Sequence, residues 1–176
     1  GQLKEKDSLT EAREHFNEMK DNNVIKKDNA LNFYIYQIEL GNHKQLGFLS
    51  LASVGDFEKN IIKPHEKIYQ SRKVERADQM MNIKTQIGPI YVSYPSEKSI
   101  SNFLLSNAKN SPSYDFESFD NSIHKLWCIN DKDSIKEFQN LSKNISHLYI
   151  ADGHHRMGAM QHIKDSNPLN DKFMIA

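Results

Sequence analysis

The chain contains a single cysteine, Cys128. No disulfide can close within it, and such usage fits a reducing compartment. No stretch approaches the roughly 20 apolar residues that a membrane-crossing helix requires, and the first residues lack the apolar core of a signal peptide. A cytoplasmic protein is the expectation. Neither sign of charge is in excess: Lys and Arg number 23, Asp and Glu 23, for a formal net charge of zero. A dedicated DNA or RNA binder carries a basic excess, because its affinity comes largely from neutralising phosphates. The balance argues against bulk nucleic-acid binding and leaves room for a small anionic ligand held by a few local charges. Also missing are internal repeats, a low-complexity linker and any clear boundary between two domains. At 176 residues the chain suffices for one domain with a real core, or for a large piece of a bigger one.

What is present reads as alternating elements. Ser8-Leu9-Thr10-Glu11 has the form of a capping box at a helix start, and Leu9, Ala12, Phe16 and Met19 then recur at helical spacing through about residue 21. Residues 31–40, rich in Tyr, Phe and Ile, lead through the turn-like Gly41-Asn42-His43-Lys44 to residues 45–54, a hairpin pattern. The charged segment 55–86 holds Pro64 and a helix predicted from about Lys73 to Lys84. A strand is predicted over 89–94, a helix over 98–108 with Phe103 and Leu104 inward, a polar loop over 110–121 and a strand over 123–129. Asp131 or Asp133 can cap a helix whose apolar face is Ile135, Phe138 and Leu141. A short strand over 147–151 then feeds a helix from about Gly153 past His162. The alternation predicts an α/β (α+β) fold, a mixed sheet with helices packed on it. Phe173-Met174-Ile175-Ala176 reads as a strand cut off after it begins, which suggests a fragment of a larger protein.

The junction Ala151-Asp152-Gly153-His154-His155-Arg156 carries the most chemistry. A strand, a tight turn and a helix N-terminus in succession suit an anion, because free amides point out of the helix end and the macrodipole adds partial positive charge. Gly153 permits a sharp turn and close approach of a ligand. Arg156 offers a bidentate fork for phosphate oxygens, and His154 and His155 can donate hydrogen bonds. Asp152 would repel a bare phosphate, so its roles would be to hold Mg²⁺, orient a histidine or accept a proton. The plainer alternative is that Asp152 and Gly153 only cap a polar helix start. A zinc site, with His154 or His155 joined by His162 or His65, is a third reading. Adjacent helical histidines point about 100° apart and chelate one ion poorly.

A second constellation is His65-Glu66, Arg72 and Glu75-Arg76. Arg72 and Arg76 share a helix face if the helix starts early enough, and could grip a second phosphate or a carboxylate. Glu66 could be a general base or a metal ligand. The alternative is a solvated helix with internal Glu–Arg pairs.

Taken together, the two constellations resemble a domain-of-unknown-function family of bacteria and archaea. Ile62-Lys63-Pro64-His65-Glu66, Arg72 and Glu75-Arg76 resemble its "I-x-x-H-E-x-T…K-x-x-D-R" block. Ala151-Asp152-Gly153-His154-His155-Arg156 with Ala159 resembles its "A-D-G-H-H-R-x-x-A" block, and Gly88-Pro89 and Leu126-Trp127 also sit where the family has them. Three positions depart from the pattern: Ile68 stands for Thr, Arg72 for Lys and Glu75 for Asp. The charges survive, but a hydroxyl is lost at Ile68. The resemblance spans about residues 8–162. The family is distantly similar to the N-terminal domain of ParB, to sulfiredoxin and to the free-serine kinases.

That resemblance implies a single ParB/sulfiredoxin-like domain over residues 1–176, truncated at both ends, whose glycine-bearing loop holds nucleotide phosphates. Sulfiredoxin has its reactive cysteine directly after the loop glycine, where this chain has His154, so sulfinic-acid reduction is disfavoured. ParB works on DNA with CTP, and this chain lacks the basic excess for that. The free-serine kinases are the nearest enzymatic analogue. The leading expectation is a nucleotide-dependent phosphotransferase acting on a small hydroxyl compound, with ATP, ADP or CTP and Mg²⁺. Gly153, His154, His155 and Arg156 would hold phosphates, Asp152 would bind Mg²⁺ or assist it, Glu66 with His65 would be the base, and Arg72 and Arg76 would steady the second substrate or the transferring group. Two alternatives are a non-catalytic nucleotide-binding module or switch, and a metal-dependent hydrolase.

Overall fold

The computed structural model describes the backbone of residues 2–166 and 173–175 and the side chains of residues 8–166. In chain order the elements are α1 (Gln2–Asp21), β1 (Phe33–Leu40), β2 (His43–Leu49), β3 (Leu51–Ser53), α2 (Val54–Glu58) and β4 (Ile62–Lys63). They continue with α3 (Gln70–Ile83), β5 (Tyr91–Ser93), α4 (Lys98–Asn107), β6 (Tyr114–Glu117) and β7 (Ile123–Ile129). Last come α5 (Lys132–Ser142), β8 (Leu148–Asp152), α6 (His154–Ser166) and β9 (Phe173–Ile175). The fold is mixed α and β, as the alternation predicts. Among the described residues no helix is long and apolar enough to cross a membrane.

Contacts divide the chain into two compact units, one formed by Gly1–Lys27, Leu51–Ser93 and Tyr149–Ala176, the other by Asp28–Ser50 and Tyr94–Leu148. The second unit is an antiparallel sheet of order β2-β1-β7-β6. Its hairpin turns at Gly41, at φ +56, with Leu40 opposite His43. Along β1 the buried positions alternate (Phe33, Ile35, Gln37), as a strand with one packed face requires. Phe33 and Ile35, with Trp127 and Ile129 of β7, pack against Ile100, Phe103 and Leu104 of α4 and Phe138 of α5. Phe33 stacks on Phe138 at a ring separation of 4.3 Å. Asp131 caps α5 by accepting from the Ser134 amide at 2.8 Å, which satisfies a free helix donor.

The first unit contains the strand order β4-β8-β5, with β5 antiparallel to β8, and a separate antiparallel pair of β3 and β9. Ile150 of β8 and Ile62 of β4 are almost fully buried, as is Ile90 just before β5. Helix α3 packs on α6 through Ala77, Met80, Ala159 and Ile163. Gly158 lets the chain come close there: a Cβ on it would lie 2.8 Å from a methyl of Ile68. Ile68 is thus a packing residue. Lys164 of α6 pairs with both oxygens of Glu58 in α2, at 2.6 and 2.5 Å.

Four local expectations need correction. Helix α1 begins at Gln2, so Ser8 to Glu11 lie inside it rather than capping it. Gln2 to Lys6 are good helix formers and carry the helix ahead of the expected start. The polar loop predicted over 110–121 contains β6, an edge strand with all four residues exposed and no buried face to announce it. The single strand predicted over 45–54 breaks at Ser50 into β2 and β3, and Val54 opens α2. Helix α3 begins at Gln70, early enough to carry both Arg72 and Arg76.

Candidate functional site

The site grows from the end of β8. Asp152 leaves the sheet opposite Tyr91, Gly153 turns the chain at φ +95, and α6 begins at His154. Only glycine fits this turn. The positive φ disfavours any L side chain, and a Cβ would lie 2.8 Å from Ile90 Cγ2 and 2.9 Å from both Nε and Nη2 of Arg156. The first-turn amides of α6 have no partners within the helix, so the junction presents donors and a positive dipole end.

His154 is buried, at 5% exposure. Its Nε2 accepts from the His65 backbone amide at 3.3 Å, so the ring is neutral there and its proton is on Nδ1, 3.9 Å from Glu66 Oε2. Burial pushes its pKa below the usual imidazole value and the neighbouring His65 adds to this, against weaker upward pulls from Glu66 and Asp152. His65 donates from Nδ1 to the Ile150 carbonyl oxygen at 2.7 Å, which leaves Nε2 facing Glu66 Oε1 at 3.8 Å. The two rings meet edge to face, with centroids 4.5 Å apart. Glu66 therefore sits between two imidazoles, within electrostatic reach of both but beyond hydrogen-bond length. Its side chain is 64% exposed, open to solvent.

Arg156 is held rather than extended. Nη2 donates to Asp152 Oδ2 at 2.6 Å, and the guanidinium lies over two glycines of positive φ, Gly153 and Gly88. Its Nε is buried without a hydrogen-bond partner, as is Nδ1 of His155. The His155 ring lies 6.0 Å from that of Tyr69. On α3, Arg76 donates to Gln79 at 2.8 Å.

Glu66, Arg76 and residues 152–156 line one cavity of about 700 Å³, a volume within the range of small-molecule sites. His65 reaches the site through His154 and Glu66. Arg72 does not line the cavity, although it shares α3 with Arg76. Among the described residues no group of three or more His, Cys, Asp and Glu side chains is placed to hold a metal ion. Sequence reasoning did not find the remaining wall, formed by Leu9 and Ala12 of α1 and Met80 and Ile83 of α3. Their helical spacing marks an apolar face but cannot say whether the face covers a core or lines a cavity.

A family profile described as "Protein of unknown function (DUF1015)" matches residues 1–172. The chain belongs to this family. No curated protein and no solved structure matches it. In this DUF1015 chain the two constellations, more than eighty residues apart in sequence, meet where the His65 amide bonds the His154 ring.

Proposed function

We propose that this DUF1015 chain is a nucleotide-dependent phosphotransferase acting on a small hydroxyl compound, on a ParB/sulfiredoxin-like scaffold. The observation that carries the reading is that Glu66 and the Asp152–Arg156 loop line the same cavity, with Glu66 Oε2 3.9 Å from the first imidazole of α6. Phosphoryl transfer needs charge neutralisation and in-line positioning more than covalent chemistry from the protein. The α6 amides, Arg156 and Arg76 supply positive potential for the phosphates. Glu66 takes the proton of the acceptor hydroxyl, whose oxygen attacks the terminal phosphorus as the bond to the departing nucleotide oxygen breaks. His154, neutral and with Nδ1–H toward Glu66, adds no net charge and helps orient that carboxylate. His65 holds His154 in this tautomer.

Asp152 is 75% exposed and has one oxygen engaged by Arg156. Its other oxygen suits Mg²⁺ arriving on nucleotide phosphates, since this ion is commonly held by one or two carboxylates plus the phosphates themselves. Such an ion would neutralise phosphate charge. ATP, ADP and CTP are the candidate donors, and serine-like amino acids the candidate acceptors.

The test is phosphorus NMR of the chain with each nucleotide, Mg²⁺ and a panel of hydroxyl amino acids. A phosphorylated acceptor is expected, with Glu66→Gln lowering turnover by about 100-fold or more while nucleotide affinity stays within about threefold. Nucleotide binding with no phosphorylated product from any acceptor would point instead to a non-catalytic binding module. Glu66→Gln turning over like the parent would remove Glu66 from the mechanism.

A further inference from the structure

We infer that the apolar part of the same cavity is a nucleobase slot, so that the loop's ligand is a nucleoside di- or triphosphate rather than a free phosphate or a small phosphorylated metabolite. This deepens the proposed function and rests on its phosphate-loop reading. The cavity is chemically divided. Glu66, Arg76 and the Asp152–Arg156 loop make up its charged lining, whereas Leu9, Ala12, Met80, Ile83 and Ile87 contribute only hydrocarbon and thioether surface. Leu9 and Ala12 are three apart on α1, and Met80 and Ile83 three apart on α3. Each pair is therefore a single patch on one helix face. The two helices pack against each other, so the patches are neighbouring walls.

Size and exposure both suit an occupant larger and less polar than a bare anion. A phosphate needs neither a cavity of about 700 Å³ nor an apolar wall. Ile87, adjoining Gly88 beneath Arg156, is 58% exposed, and Ala12 is exposed as well. Apolar surface kept open to water beside a charged loop is favourably covered by an apolar ligand face, and a flat aromatic base linked to phosphates has both chemistries in one molecule. Gln79 and Thr85 lie in the same lining and bring hydrogen-bonding groups for the polar edge of a base. Two arginines on different elements, Arg76 on α3 and Arg156 on α6, suit a chain of phosphates better than one group.

The experiment compares calorimetric titrations of ATP and ADP with those of tripolyphosphate and pyrophosphate, at equal Mg²⁺. Each nucleotide is expected to bind at least tenfold more tightly than the inorganic chain of matching length. Ala12→Leu, which narrows the slot, and Ile87→Ser, which strips apolar wall without adding charge, should each weaken nucleotide binding fivefold or more. Both should leave tripolyphosphate affinity within about twofold. Both positions are exposed, so folding is not at risk, and circular dichroism checks it. Equal affinity for ATP and tripolyphosphate overturns the slot and leaves the phosphate loop standing. Binding of neither, by a folded chain, overturns the loop reading and the slot with it.

Discussion

At Gly153 two demands fall on one residue: a backbone at φ +95 and a space closed by Ile90 and Arg156. Gly41 meets only the first, since at φ +56 nothing lies within 4 Å of its Cβ position. Gly41→Ala should therefore cost about 1–2 kcal/mol, the left-handed penalty alone. Gly153→Ala should cost about 3 kcal/mol or more, because overpacking is added to strain. Urea unfolding of the two variants measures the difference, and equal losses would rule out the crowding. His154 yields a pH dependence. Its folded pKa is depressed by burial, so the unfolded chain binds the proton more readily. The stability linked to this group is full above its unfolded pKa, about 6.5, and is lost as pH falls from there through the lowered folded pKa. Melting temperatures should accordingly drop more steeply from pH 7 to pH 5 in the parent than in His154→Gln. Parallel curves would remove His154 as the source. The loop itself was legible because its residues are consecutive, and a strand, a glycine and a helix start are local events. The approach of the Arg156 guanidinium to Gly88 was not, since that glycine lies 68 positions away.

Elements with a one-sided apolar pattern were read closely. Strand β7 spans Ile123–Ile129, as predicted; α4 buries Phe103 and Leu104, and of the α5 face selected by helical spacing Phe138 is buried and Ile135 and Leu141 partly so. Phe138 packs against Phe33 at 4.3 Å and edge-on to Phe48 at 4.7 Å, and is the buried centre of the α5 face that Ile135 and Leu141 flank. Phe138→Ala should destabilise this unit by about 3–5 kcal/mol, the range for an aromatic lost from a core. A denaturation midpoint within error of the parent would show that α5 is held by other contacts. Elements without such a face were misread. Strand β6 is exposed along its length and owes its existence to pairing with β7. Helix α1 extends through residues that carry propensity but no pattern.

On the scale of the whole chain, no composition shift foretells that segments 1–27, 51–93 and 149–176 gather into one compact unit and 28–50 with 94–148 into another. Short-range features were determined by sequence alone: the mixed α and β character, an aspartate cap on α5 (Asp131 or Asp133, of which the structure uses Asp131), the strand–glycine–helix junction at Asp152 to His154, and the balance of charge. Each depends on neighbours a few residues apart, where propensity, spacing and sterics act. Tertiary structure alone decided that Glu66 lies between His65 and His154, that Arg76 and not Arg72 lines the cavity, and that Leu9 and Ala12 join it from α1. It also decided the tautomers, because a ring nitrogen takes its role from the partner that packing brings to it: the Ile150 carbonyl for His65 and the His65 amide for His154. Local periodicity marks an apolar or charged face, but what that face meets is set by contacts between segments distant in the chain.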